Sequence, residues 1–178
     1  GKILTSAFGA SIAHSMAGEI EYQQIVGLLL VKEFVNSLAN DRVRSVDEDS
    51  NVIERGRDLA DRCGAFFSSH RPVPSLLHGD LWGGNWGVVS GSREPAIFDP
   101  AVYYGDRETD IAMTRLFGGF GPRFYAAYQA TWPLDQAAGT RCTLYNLYHV
   151  LNHFNLFGGG YGRQAAGMIE KLLAELGV

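Results

Sequence analysis

The chain has 178 residues, enough for one good hydrophobic core and too few to make two full domains comfortable. Hydrophobic residues make up 46% and charged residues 19%, which excludes long disorder as the main state. With 15 Lys and Arg against 19 Asp and Glu, the net charge of -4 carries neither a nucleic-acid footprint nor a polybasic membrane signal, so the expected partner is a small molecule.

Residues 1 to 50 hold scattered glycines, an apolar run from Ile20 to Leu30 broken by Gln23, Gln24 and Gly27, and Lys32 to Ala39 at helical spacing; helices are expected there. The apolar stretch Ile25 to Val31 is far shorter than the roughly 20 residues that span a bilayer. Without a basic start and cleavage site, no export signal is expected either. Cys63 and Cys142 stand in unlike contexts without a CxxC or His-rich companion. Neither a disulfide framework nor a zinc site is indicated, and a reduced, cytoplasmic setting is expected.

From Val52 to Phe67, Leu59, Cys63, Phe66 and Phe67 fall at i, i+4, i+7 and i+8, which predicts a helix with one stripe against a core. That helix should stop before Pro72 and Pro74. Trp86 to Val89 and Ala96 to Phe98 flank a turn-rich Ser90-Gly91-Ser92-Arg93-Glu94-Pro95 and predict a β-hairpin. Asp106 to Phe117, Arg123 to Trp132, Thr140 to Phe157 and Arg163 to Leu176 predict four helices, separated by Gly118-Gly119, Pro133 to Gly139 and Gly158-Gly159-Gly160. The expected fold class is mainly α with a small β-hairpin.

The chemistry gathers around the hairpin. His78-Gly79-Asp80-Leu81-Trp82-Gly83-Gly84-Asn85 sets an Asp and an Asn five positions apart on a glycine-rich loop, and Asp99-Pro100 follows the second strand. Phosphoryl transfer asks for a carboxylate beside the attacking hydroxyl and hard oxygen ligands for Mg²⁺ at the nucleotide phosphates. In protein kinases the order is His-x-Asp, four residues, Asn, a hairpin, and a metal-binding Asp, and the order here is the same. On this logic Asp80 is the catalytic base, Asn85 and Asp99 hold magnesium and with it ATP, and His78 braces the loop.

Three segments carry a resemblance to one family. They are Leu77 to Asn85, Ile97-Phe98-Asp99-Pro100-Ala101-Val102-Tyr103-Tyr104-Gly105-Asp106-Arg107-Glu108-Thr109-Asp110, and Leu144-Tyr145-Asn146-Leu147-Tyr148-His149-Val150-Leu151-Asn152-His153. Across about residues 55 to 175 the chain resembles the fructosamine kinase (ketosamine-3-kinase) family, with aminoglycoside and choline kinases as more distant cousins. Trp82, directly after His-Gly-Asp-Leu, is what favours that family over the aminoglycoside enzymes. The resemblance implies a protein-kinase-like carboxy-terminal lobe and ATP-dependent transfer to the sugar 3-hydroxyl of a ketosamine or glycated amine. It also implies that Trp82 lines the sugar site, with a lid over the core as its bland alternative, and that Asp110 supports the catalytic-loop backbone.

Asp106 and Glu108 read as solvated residues at a helix start, favourable at the positive end of the dipole, with contact to a substrate amine as the alternative. His149 and His153 lie four apart on one helix face but lack the Glu of a zinc-protease motif, so they read as core or cleft histidines.

A glycine-rich strand-turn-strand and a strand Lys over the nucleotide are not recognisable in residues 1 to 50; Gly9 to Gly18 lacks flanking strands and Lys32 sits in a helical pattern. The expected organisation is therefore a poorly matched segment 1–50 and a kinase-like carboxy-terminal lobe 51–178, with the amino-terminal lobe missing and activity of the short chain in question. Three functions stay open. They are a ketosamine kinase, a non-catalytic helical module that self-associates through the face such a lobe would cover, and a kinase of aminoglycosides or another small alcohol.

Overall fold

A computed structural model describes residues 47–178, with side chains from residue 52. The helices expected over the first 46 residues lie outside the described part. In chain order the elements are α1 (Asp47–Arg62), a 3-10 turn (Cys63–Phe67), β1 (Ser75–Leu77), β2 (Trp86–Val88), β3 (Pro95–Ile97), β4 (Tyr103–Gly105), α2 (Glu108–Leu116), α3 (Pro122–Thr131), α4 (Ala138–Phe157) and α5 (Gly160–Glu175). No described helix is long and apolar enough to cross a membrane.

The α1 stripe does what its spacing predicts. Leu59, Cys63 and Phe67 are fully or almost fully buried, although the last turn tightens to 3-10 geometry at Cys63. Each such side chain taken from water contributes about 1.5–3 kcal/mol. They meet Leu144, Leu147, Val150 and Leu151 from α4 and Ala165, Ile169, Leu172 and Leu173 from α5 in one core. Helices α4 and α5 form a helical hairpin across Gly158 and Gly159, whose φ values of 65° and 64° suit residues without a Cβ. Helix α2 packs on α4, and α1 packs on α5. Pro122 opens α3 at its first turn, where a missing N–H costs nothing.

The expected hairpin is β2 with β3, in register Trp86↔Ile97, Gly87↔Ala96 and Val88↔Pro95. A second antiparallel ladder was not expected: β1 pairs with β4, Ser75↔Gly105 through Leu77↔Tyr103. Three residues a side carry too short an alternation to read as strands, and their partners lie 26 to 30 positions away. The extra ladder matters for the site. It clamps the two ends of the 75–105 segment, so the loops 78–85 and 98–102, each joining one ladder to the other, must run side by side.

Candidate active site

The two loops are stitched together by backbone hydrogen bonds. Ala101 N donates to His78 O at 2.8 Å, and Phe98 N donates to Asn85 O at 3.0 Å. Gly79 takes φ 78°, and a Cβ there would run into the Ala101 carbonyl, so the loop needs glycine both for its turn and for this approach.

His78 is 8% exposed and its ring bonds Phe98 O through Nε2 at 3.1 Å. Asp80 N points to His78 Nδ1 at 3.4 Å, a long contact. Asp110, in the first turn of α2, accepts from His78 N at 2.8 Å through Oδ2 and from Gly79 N at 2.9 Å through Oδ1. One carboxylate thus satisfies two loop amides at the point where the chain leaves β1.

Asp80 and Asn85 are brought into direct contact. Asn85 Nδ2 donates to Asp80 O at 2.8 Å and to Asp80 Oδ2 at 2.9 Å. Asn85 is buried and Asp80 half-buried. Because both bonds use the amide nitrogen, no described hydrogen bond occupies Asn85 Oδ1, and Asp80 Oδ1 is likewise unclaimed. Asp99 directly follows Phe98, whose N–H is bonded to Asn85, so its backbone lies one residue from the Asn85 carbonyl. Asp99 is exposed and holds φ 56°, a left-handed conformation uncommon for a residue with a side chain. Asn85, Asp80 and Asp99 carry amide and carboxylate oxygens, the hard donor type that suits Mg²⁺. Trp82 is 38% exposed; its ring covers Gly84, where a Cβ would collide with it.

Asp106 and Glu108 depart from expectation: neither is solvated. Asp106 is 4% exposed and accepts from Tyr145 OH at 2.9 Å, and its Oδ2 pairs with His70 Nε2 at 2.7 Å. Its Oδ1 caps Glu108 N at 3.0 Å. Glu108 is 2% exposed and takes a two-pronged ion pair from Arg141 at 2.7 and 2.8 Å. A substrate amine has no open oxygen to meet there. His70, Asp106 and Glu108 do bring ligand atoms within 4.8 Å of one another. The Arg141 guanidinium on Glu108 and the Tyr145 hydroxyl on Asp106 already use those oxygens, and a fixed positive charge at that distance opposes a second cation.

Sequence reasoning missed Arg107, which ties the start of α2 to the end of α3. Its guanidinium donates to Tyr128 OH, Trp132 O and Pro133 O at 2.7 to 2.9 Å and lies 4.2 Å from the centre of the Trp132 ring. The signal available was only an arginine in a motif. His149 and His153 are both half-buried on α4. His153 Nδ1 bonds His149 O at 2.7 Å and its ring lies against Phe117, while burial and the neighbouring His153 push the His149 imidazole down to about 4. Neither cysteine is in a disulfide and both are buried, and burial pushes the Cys142 thiol up to about 12.

A glycine-bearing loop with Asp and Asn, a hairpin, a second loop with Asp, and an Asp on the following helix, all seated on packed helices, resembles the order of elements in kinase-like proteins. The chain belongs to the fructosamine kinase family, whose model, described as "Fructosamine kinase", matches residues 36–175. It is 40% identical over 132 residues to the ketosamine-3-kinase of Mus musculus, covering 74% of this chain and 42% of the mouse protein. A Vibrio cholerae protein named as a probable ketoamine kinase is 55% identical over 107 residues, covering 60% of this chain and 36% of its own length. The crystal structure of a candidate fructosamine-3-kinase from Thermobifida fusca superposes with a TM-score of 0.66 at 28% identity, covering 80% of this chain and 47% of that one. The chain therefore spans less than half the length of each of these relatives.

Proposed function

We propose that this chain supplies the acceptor-and-metal half of a kinase that transfers the γ-phosphoryl group of ATP to the sugar 3-hydroxyl of a ketosamine or glycated amine. The observation that carries the reading is the Asn85 amide, which bonds both the Asp80 backbone and its carboxylate and leaves one oxygen of each side chain turned to other work. Asp80 Oδ1 takes the proton of the attacking hydroxyl as the new O–P bond forms and the bond to the ADP oxygen breaks. Asn85 Oδ1 and the Asp99 carboxylate would hold Mg²⁺, which when bound neutralises charge on the nucleotide phosphates. Asp110 and His78 keep Asp80 in place through the backbone. Trp82 offers a partly exposed aromatic face to the C–H side of the sugar, burying apolar surface without a charge. The names of the mouse and Vibrio cholerae relatives favour a ketosamine over an aminoglycoside acceptor.

Transfer of label from [γ-³²P]ATP to fructosyl-lysine in the presence of Mg²⁺, with the product's phosphate located by NMR, tests this reading. Labelling at the 3-position is expected. Absence of magnesium-dependent ATP heat in calorimetry on folded protein, together with no labelled product, would remove it. A second reading has its own observation: Leu76, Val88, Ile97 and Tyr104 on the two ladders are 59 to 70% exposed. Such a surface favours self-association or a covering partner. A clean monomer in sedimentation at high concentration counts against the self-associating form.

A further inference from the structure

Away from the two loops, a cleft of about 740 Å³ opens between the end of α2, the first half of α4 and one face of α5. Its charge is one-sided. Arg115, Arg163 and Lys171 line it against one carboxylate, Glu175, and no ion pair among the described residues engages any of these cations. Arg163 and Lys171 share a face of α5 about 12 Å apart along the axis.

Helix α4 begins in the same cleft, where Gly139 and Thr140 of its first turn form part of the wall. That turn carries no acidic residue of its own, but the Asp135 carboxylate just ahead of it accepts from Ala137 N at 2.8 Å and meets part of the helix's positive end, so the cations rather than the helix terminus set the sign of the cleft.

The wall also holds an unfinished hydrogen bond. Asn146 lines the cleft, is 8% exposed, and donates Nδ2 to Ala112 O at 2.8 Å. Its Oδ1 is the one buried side-chain atom without a partner among the described residues. Buried side-chain acceptors are almost always satisfied, and none of the described residues supplies the donor this oxygen calls for.

We propose that the cleft is a second binding site, for a small phosphorylated polyol such as a sugar phosphate. The phosphate is held by the cations of α2 and α5, and a ligand hydroxyl donates to Asn146 Oδ1 after a small displacement of the wall. Arg supplies the forked donors that suit a phosphate, and the hydroxyl completes what three cations alone cannot. The site shares no residue with the Asp80 loop and does not rest on the phosphotransferase reading.

Calorimetric titration with fructose 6-phosphate, fructose and inorganic phosphate separates the contributions. Fructose 6-phosphate should bind more tightly than either of the other two. Arg163→Gln/Lys171→Gln, both at exposed positions, should weaken it by about tenfold or more. Asn146→Leu should lower it to the affinity of inorganic phosphate. Failure to see saturable fructose 6-phosphate binding up to ~10 mM overturns the site, as does binding that the double variant leaves unchanged. The double variant decides the matter even if Asn146→Leu does not fold.

Discussion

Arg141 and Glu108 form a buried two-pronged ion pair across 33 residues of sequence, joining the start of α4 to the start of α2. Arg141 also reaches Asp135 in the loop before α4, whose carboxyl the guanidinium holds below its ordinary range. Through Asp106, a neighbour of Glu108, the same network reaches His70 and Tyr145, so four separate segments converge on one polar knot.

Breaking one side of that pair should be costly. Arg141→Met leaves Glu108 buried without its cation and is expected to lower stability by about 3–5 kcal/mol in urea unfolding. The double variant Arg141→Met/Glu108→Met should recover most of that loss, because the desolvation cost goes with the second charge. A double variant no more stable than Arg141→Met would show that the charges are not coupled.

Asp110 is expected to act on the loop through its backbone. Asp110→Ala orphans the His78 and Gly79 amides, each bonded at under 3 Å, and should cost about 1–3 kcal/mol per lost acceptor. Faster amide hydrogen exchange confined to residues 78–80 is the sign to look for. Unchanged exchange would mean the loop holds itself.

For Asp80 the expectation separates activity from stability. Asp80→Asn keeps the shape of the side chain and removes the proposed base, so the proposed ketosamine phosphorylation should fall by a factor on the order of 10² or more. The melting temperature should shift little, since the Asn85 bond to the Asp80 carbonyl remains. Normal turnover in this variant would reassign the base.

The low pKa of His149 has a sign that can be checked. With its folded value at about 4 and an ordinary value near 6.5, the unfolded chain binds the extra proton first. Stability is therefore full at neutral pH and falls as pH drops from about 6.5 to about 4, by roughly 1–3 kcal/mol from this group. His149→Gln should flatten urea-unfolding free energy across that window. An equally steep decline in the variant would place the acid sensitivity elsewhere.

Much of this molecule was legible in the order of its residues. The apolar stripe of α1, the hairpin around Ser90 to Pro95 and the four later helices follow from local periodicity and turn chemistry, as does the Asp80, Asn85, Asp99 spacing. Those signals act over a few residues, so a one-dimensional reading can find them. The β1–β4 ladder was not legible, because three-residue strands carry almost no pattern. Nor was the fate of Asp106 and Glu108. A carboxylate at a helix start looks the same in sequence whether it faces water or a guanidinium, and only the folded chain brings Arg141, Tyr145 and His70 to it. Burial of charge is decided by partners distant in sequence, and those partners become neighbours only when α2, α4 and the segment before β1 pack together.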